Sequence, residues 1–277
     1  MQTIVVTGAT SGIGLETARL LAADGFRVLA VGHSRENCEK ADRDIRSGLP
    51  DAAIAWFYAD LMQRREVLQL AGKLRAWLDV HADGALFALI NNAGCARSRY
   101  MTTEDGFEQQ FALNVLAGYL LTRELLPCLL KVGGRVIMTS SSSHKGCHVH
   151  WDDVMLEKMY DPLFAYKQSK LCDVLLAQGL NDRYGQQGLH AYAVDPGLVN
   201  TEIGNKTSGI VDVFWKYRKR FGVSPKIPAK TYRYLCAQPE AAEGLYYYLC
   251  RERAYSRQVT SENAARLFAL CEKLCSR

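Results

Sequence analysis

Short runs of β-branched and other apolar residues alternate along the chain with longer stretches in which apolar positions recur every three or four residues. Ile4 to Thr7, Phe26 to Val31, Ala53 to Tyr58, Leu86 to Ile90, Arg135 to Thr139 and Leu189 to Val194 predict strands. Between them, Ser11 to Ala23, Arg35 to Arg46, Gln63 to Leu78, Phe107 to Lys131 and Leu163 to Tyr184 predict helices. The strand runs lack polar alternation, and strands that are apolar on both faces belong in a parallel sheet covered by helices. Strand–helix–strand repetition over about 195 residues implies a doubly wound α/β fold. No linker or low-complexity stretch interrupts it, so the expectation is a single domain over 1–277. Its mainly parallel sheet would have about seven strands, with helices on both faces. Ala237 to Cys250 reads as one more helix, carrying Leu245, Tyr246, Tyr248 and Leu249, and the tail from Arg251 gives little signal.

Composition narrows the class. Of 277 residues, 48% are hydrophobic and 23% charged, a globular balance that excludes disordered and fibrous chains. The nine cysteines are odd in number, scattered from Cys38 to Cys275 and never in a CxxC pair. That fits reduced thiols in a cytoplasmic protein better than a disulfide framework or zinc ribbon. The first strand begins too close to Met1 to leave room for a targeting signal. The longest apolar candidate, Leu113 to Val132, is broken by Asn114, Arg123, Glu124, Pro127 and Lys131. It falls short of the roughly 18 apolar residues of a membrane span, so a soluble, cytoplasmic protein is expected.

The chemistry starts at Thr7-Gly8-Ala9-Thr10-Ser11-Gly12-Ile13-Gly14, between the first strand and the first helix. Gly8 serves a tight turn, Gly12 close backbone approach to a pyrophosphate, and Gly14 packing of helix on strand. The helix N-terminus offers unpaired N–H groups and a positive dipole end to phosphates. A plain tight turn is the competing reading, and the strand–turn–helix context speaks against it.

This GxxxGxG spacing resembles the short-chain dehydrogenase/reductase family, in its Thr-Gly-x-x-x-Gly-Ile-Gly branch. Further motifs of that family follow in order: Asp60-Leu61 after the third strand, Asn91-Asn92-Ala93-Gly94 after the fourth, and Asn114 in the next helix. Ser141 follows the fifth strand, Tyr166 and Lys170 form a YxxxK motif, and Pro196-Gly197 precedes Val199 and Thr201. The resemblance covers residues 3 to 202 and implies a Rossmann fold binding a nicotinamide dinucleotide. It implies cofactor contacts at Gly8, Thr10, Ser11, Gly12, Ile13, Gly14, Asp60, Leu61, Asn92, Ala93, Gly94, Tyr166, Lys170, Pro196, Gly197, Val199 and Thr201.

Cofactor choice is a charge question. An acid at the end of the second strand would hydrogen-bond a free ribose hydroxyl and repel a 2′-phosphate. The sequence there is Val31-Gly32-His33-Ser34-Arg35, with Gly32 where NAD-users of the family usually carry Asp. His33, Ser34 and Arg35 can each donate to a phosphate, so NADP(H) is favoured over NAD(H). The competing reading has Arg35 merely opening a solvated helix.

Hydride transfer to a carbonyl leaves charge on oxygen, and a proton must be supplied there. A phenol, with a pKa of about 10, serves only if cations stabilise the phenolate. Lys170 lies four residues after Tyr166, on the same helix face. Tyr166 is then the expected general acid in reduction and general base in oxidation. The resemblance adds Lys170 on the ribose hydroxyls, Ser141 on the substrate oxygen, and Asn114 holding a water that extends a proton relay. Among Ser140, Ser141, Ser142 and Ser143, the second serine after the strand best matches the family.

Ser141 and Tyr166 stand 25 positions apart, a long gap that resembles the retinol-dehydrogenase-like and WW-domain-oxidoreductase-like members. A substrate-loop insertion is therefore expected near 142–162. It holds His144, Cys147, His148, His150, Asp152 and Asp153, but the catalytic set already supplies a proton donor, so no metal is expected. From Lys206 to Arg233 there are eight Lys or Arg against the single acid Asp212, interleaved with Phe214, Trp215, Tyr217, Phe221 and Tyr232. The reading is a variable lid near 203–230 over an apolar substrate, with a membrane-surface contact through 210–230 or a solvated helix as alternatives. Nucleic-acid binding is not expected, since no base-reading motif accompanies the patch. The resemblance implies a small apolar retinoid-, steroid- or aldehyde/ketone-like substrate, and a homodimer or homotetramer built on the helices of Asn114 and Tyr166. A cofactor-binding sensor or interaction protein with little turnover stays open as the rival.

Overall fold

Eight strands form one sheet: β1 (Thr3–Thr7), β2 (Arg27–Gly32), β3 (Ile54–Tyr58), β4 (Ala88–Asn91), β5 (Arg135–Thr139), β6 (His190–Val194), β7 (Tyr246–Tyr248) and β8 (Arg251–Glu252). In this computed structural model, which describes residues 1–200 and 222–276, their order is β3-β2-β1-β4-β5-β6-β7-β8. Every neighbouring pair is parallel except β7 with β8. Because the strand period is two, each strand feeds two cores. Val5, Leu29, Leu89 and Val136 face one layer of helices, while Ile4, Val6, Val28, Ala30, Ile90 and Ile137 face the other. The chain winds outward from β1 through β2 to β3, then returns to lay β4 on the opposite side of β1. Connections diverge there, and the crevice beyond the carboxyl ends of β1 and β4 is the place such sheets offer a ligand.

The helices are α1 (Gly12–Ala23), α2 (Arg35–Gly48), α3 (Arg64–His81), α4 (Gln109–Leu130), α5 (Pro162–Tyr184), α6 (Lys226–Ala237) and α7 (Ser261–Cys275). α4 contains a π-helical turn at Ala112–Leu116. By length and hydropathy alone α4 could cross a membrane, but 67% of its apolar window is buried inside the protein, so it is a core helix. α5 starts with Pro162, and Asp161 caps it by accepting from the N–H groups of Leu163 and Phe164 at 2.8 and 3.0 Å.

Two parts of the C-terminal region differ from the sequence expectation. Ala237 to Cys250 is not a helix: the helix comes earlier, as α6, and Tyr246–Tyr248 adds β7 to the sheet. Tyr246 and Tyr247 are buried in opposite core layers, which a strand satisfies and one helix face does not. Gly244, Leu249 and Cys250 take positive φ values of 88, 50 and 59°, breaking any helix through them. The tail after Arg251 holds β8 and α7, so the strands number eight rather than about seven. α7 buries Ala264, Leu267, Phe268, Cys271, Leu274 and Cys275, a full amphipathic spacing. It packs on the outer side of α4 and α5, with Tyr119 donating to Glu272 at 2.5 Å and meeting Phe268 edge to face. Arg135 is buried and donates to the carbonyls of Leu235, Cys236 and Gln238, closing the C-terminal end of α6 with a cation. Most of the expected lid, with its membrane-contact alternative, lies outside the described residues.

Candidate active site

The glycine-rich turn leaves β1 and enters α1. Gly8 and Gly12 hold φ values of 64 and 55°, in the left-handed region that favours glycine. A Cβ on Gly14 would stand 2.2 Å from the Gly8 carbonyl oxygen and 2.5 Å from Asn92 Nδ2. The turn is stitched to the end of β4: Thr7 Oγ1 accepts from the N–H groups of Asn92 and Ala93 at 2.9 and 3.0 Å, and Asn92 Nδ2 donates to the Thr7 carbonyl at 2.9 Å. Ser11 occupies the N-cap of α1 but makes no side-chain cap bond. The first-turn N–H groups of a 12-residue helix therefore face the crevice without a side-chain acceptor from their own cap. Such a turn, with no room for a Cβ at Gly14, fits the pyrophosphate of a dinucleotide.

At the end of β2, a Cβ on Gly32 would lie 2.4 Å from Thr10 Cγ2 and 2.5 Å from Cys38 Sγ. An acid at this position would have to displace both side chains. His33 is exposed, its Nδ1 3.8 Å from Asp60 Oδ1. Ser34 caps α2, its Oγ accepting from the Asn37 N–H at 3.4 Å. Arg35 opens α2, exposed, with its guanidinium 5.7 Å from the centre of the Tyr58 ring. The stretch thus presents two side-chain donors, His33 and Arg35, where a ribose phosphate would lie. Asp60 accepts from the Met62 N–H at 3.0 Å and donates its own N–H to Glu66, fixing the loop; Leu61 packs against the core.

Asn114 lies in the π-helical turn of α4. Its Oδ1 accepts from the Cys95 N–H at 2.7 Å, and Nδ2 donates to the Cys95 carbonyl at 3.0 Å and to Ser169 Oγ at 2.9 Å. One side chain thereby joins Gly94-Cys95 to α5. Both amide hydrogens are used, which leaves one lone pair on Oδ1 for a further partner. Ser140 is buried and donates to the Lys170 carbonyl at 2.7 Å, tying β5 to α5. Ser141, next in sequence, caps a short turn by accepting from the Ser143 N–H at 3.3 Å. Ser142 is exposed, and Ser143 Oγ is buried without a hydrogen-bond partner among the described residues.

Tyr166 and Lys170 share a face of α5 within its first three turns, with Lys170 Nζ 5.8 Å from the centre of the Tyr166 ring. Lys170 is buried and donates to the Thr139 carbonyl at 2.8 Å and to Asp173 Oδ2 at 2.9 Å. Burial by itself would lower the Lys170 ammonium; Asp173 and then Tyr166 outweigh it and hold it above the ordinary lysine value. Behind Thr139, the buried Tyr232 phenol of α6 lies 2.9 Å from Thr139 Oγ1. After β6, Asp195 Oδ1 accepts from the Gly197 N–H at 2.8 Å and shapes the Pro196-Gly197 turn. Val199 pairs with Val223 in a parallel bridge, and Thr201 lies outside the described residues.

The insertion is anchored rather than loose. His144 points into the core and contacts Tyr246, and its two ring nitrogens meet the Ser141 carbonyl and the Ser256 N–H. Gln168, inside the YxxxK stretch, accepts from the His150 N–H at 2.7 Å and donates to the Val154 carbonyl at 2.9 Å. Tyr160, at the end of the insertion, donates to the buried Glu108 at 2.8 Å. Among the described residues no three His, Cys, Asp or Glu side chains gather where a metal could be held. A crevice of about 210 Å³ between α4, α5 and α7 is lined by Tyr119, Leu126, Leu180, Arg183 and Phe268 among others. None of its lining residues is a candidate site residue.

Gln168, Ser169 and Asp173 escaped the sequence reading. Asp173 left a trace, as an acid inside the apolar run from Leu171 to Ala177. A charge in a buried stretch needs a partner, and three residues upstream is the helical spacing that supplies one.

Known proteins resemble this chain in sequence and in fold. A sequence model of the family described as short chain dehydrogenase matches residues 2–209. Human retinol dehydrogenase 13 is 33% identical over 278 aligned positions, covering 96% of this chain and 81% of that protein. A crystal structure of an uncharacterized protein from Mycobacterium paratuberculosis superposes with a TM-score of 0.77 at 28% identity, covering 100% of this chain and 94% of the other. A short chain dehydrogenase from Shigella flexneri, complexed with NADP, superposes at 0.65 with 25% identity over 85% of this chain and 90% of its own.

Proposed function

The chain belongs to the short-chain dehydrogenase family and is an oxidoreductase, and from that premise we propose that it moves hydride between NADP(H) and the carbonyl or hydroxyl carbon of a small apolar substrate. The observation that carries this reading is the Lys170 ammonium, fixed by the Thr139 carbonyl and 5.8 Å from the centre of the Tyr166 ring.

When bound, the nicotinamide supplies or accepts the hydride; the protein must manage the charge that appears on the substrate oxygen. Tyr166 gives a proton to that oxygen in reduction and takes it back in oxidation. A positive group close by stabilises the phenolate, and Lys170 provides it from a buried position where the interaction is little screened. Ser141 donates a second hydrogen bond to the developing oxyanion; removal of one such preorganised donor typically costs on the order of 3 kcal/mol of transition-state stabilisation. Asn114 holds Cys95 and Ser169 together, and the remaining lone pair on Oδ1 is available to a relay water. The turn Gly8 to Gly14 and the α1 N-terminus hold the pyrophosphate.

NADP(H) is preferred because Gly32 removes the acid that would repel a 2′-phosphate and Arg35 and His33 offer donors beside it. The apolar substrate class draws support from the similarity to a retinol dehydrogenase. Retinoid-, steroid- and aldehyde/ketone-like molecules all satisfy it. The homodimer or homotetramer is proposed on the same resemblance, with α7 covering part of the α4 and α5 surface that a second subunit would use.

The test is turnover. Purified protein is mixed with NADPH or NADH and a panel of apolar ketones, aldehydes and alcohols while nicotinamide absorbance is followed. Turnover that Tyr166→Phe abolishes is the expected result. Tight NADPH binding with no turnover on any member of the panel would instead assign a cofactor-sensing role.

A further inference from the structure

We infer that Asp173 is a positioning residue of the proton-transfer site: its buried carboxylate keeps the Lys170 ammonium charged and aimed toward Tyr166. This rests on the roles proposed above for Tyr166 and Lys170.

The geometry leaves Asp173 no other work. It lies one helical turn beyond Lys170, 1% exposed, among Leu171, Cys172, Val174, Leu175 and Leu176, all buried. Its Oδ2 is 2.9 Å from Lys170 Nζ, and Lys170 itself is 4% exposed. Burying either charge alone is strongly unfavourable, so each side chain is stable here because the other is present. An ammonium has three hydrogens. The Thr139 carbonyl on β5 and the Asp173 carboxylate on α5 take two, which fixes the direction of the third. Without the carboxylate the amine would rotate about a single remaining contact and, being buried, would shed its proton.

The carboxylate also opposes the field that Lys170 exerts on the phenol, and the direction in which the pH profile moves on its removal decides between these effects. Asp173 and then Tyr166 raise the Lys170 ammonium against its burial. Lys170 Nζ is 2.9 Å from the carboxylate and 5.8 Å from the centre of the Tyr166 ring, and a buried amine without the carboxylate would have no charge to offer the phenol. Besides Tyr166, titratable groups facing the pair are the Cys95 thiol beyond β4, the Cys172 thiol of α5 and the Tyr232 phenol of α6, and none carries a positive charge that could replace Lys170. Burial pushes the Asp173 carboxyl up, and the Lys170 ammonium pulls it back down.

Asp173→Asn keeps the shape and removes the charge. In alcohol oxidation the variant should lose about tenfold or more in kcat at neutral pH, with the alcohol KM within about twofold of the parent. The limb on which the rate rises with pH should move at least about one unit to the alkaline side, because the phenolate has lost its cation. A merely structural role would lower the amount of folded enzyme without moving that limb. A limb that stays in place, or moves to acid, overturns the inference.

A second measurement needs no turnover. In wild-type protein carrying ¹³C at lysine Cε, the Lys170 signal, identified by its loss in Lys170→Arg, should report an ammonium up to at least about pH 9. A neutral amine at about pH 8 overturns the inference. If no alcohol turns over and Tyr166→Phe matches the parent, the proposed function fails, and the same titration in Asp173→Asn, where Lys170 should turn neutral at lower pH than in the parent, still decides the role of Asp173.

Discussion

His144 Nε2 accepts a hydrogen bond from the Ser256 backbone N–H at 3.1 Å, while its Nδ1 sits 2.7 Å from the Ser141 carbonyl. A backbone N–H can only donate, so Nε2 must be unprotonated and the Nδ1 hydrogen must serve Ser141. The ring is therefore neutral, and it fastens the Ser141 turn to the segment that leads into α7. Burial, the largest influence, lowers its pKa below the ordinary 6.5, and the Ser141 carbonyl opposes this only in part.

The sign of the pH dependence follows. A histidine whose folded pKa is depressed contributes stability that is complete above its unfolded value and is lost as pH falls through the folded value. The melting temperature should therefore drop on acidification below about 6.5, beyond the loss common to other groups. His144→Phe should melt lower at pH 8 and lack that extra acid component. Parallel curves for the two proteins would remove His144 from the account.

Gly14→Ala tests the phosphate cradle. A methyl group 2.2 Å from the Gly8 oxygen and 2.5 Å from Asn92 must push the turn off the end of β4. Overpacking of this kind costs about 1–3 kcal/mol, and here it falls on the cofactor surface. NADPH affinity, measured by fluorescence titration, should fall by at least about tenfold while the circular dichroism spectrum stays native.

Arg35→Ala separates the two cofactors. The guanidinium is exposed, 5.7 Å from the centre of the Tyr58 ring. Loss of one charge-assisted contact should weaken NADPH binding about tenfold, near 1.4 kcal/mol, and leave NADH unchanged. Equal affinities for NADPH before and after the substitution would make Arg35 a helix-opening residue and nothing more.

The sheet and its crevice were legible because unbroken apolar runs and a glycine turn between strand and helix are local signals. Gly8 to Gly14, Asn92 and the Tyr166–Lys170 spacing carry their meaning within a few residues. What stayed hidden depends on distant pairing. The three tyrosines Tyr246 to Tyr248 read as part of a helix until β6 is there to pair with them, since apolar residues in succession suit either element. α7 had a clean spacing, from Ala264 to Cys275, but no partner surface could be named for it. His144 read as one residue of a substrate-loop insertion; only the fold brings it to Ser256. Serine choice was ambiguous by one position, and the burial of Ser140 under the Lys170 carbonyl distinguishes the two neighbours.

Gln168 offers the sharpest probe of the insertion. Its side chain is 1% exposed, and both ends are used: the carbonyl takes the His150 N–H and the amide gives to the Val154 carbonyl. Gln168→Ala leaves a donor and an acceptor of the insertion unpaired, at about 1–3 kcal/mol for each that remains buried. The lower melting temperature should come with new protease cleavage between 145 and 161, since that segment then loses its attachment to α5. Gln168→Glu separates the two bonds. A carboxylate can still accept from His150, yet it faces the Val154 carbonyl with no hydrogen to offer. Cleavage in that variant should concentrate on the Val154 side, and a pattern identical to the alanine protein would show that the two bonds act as one.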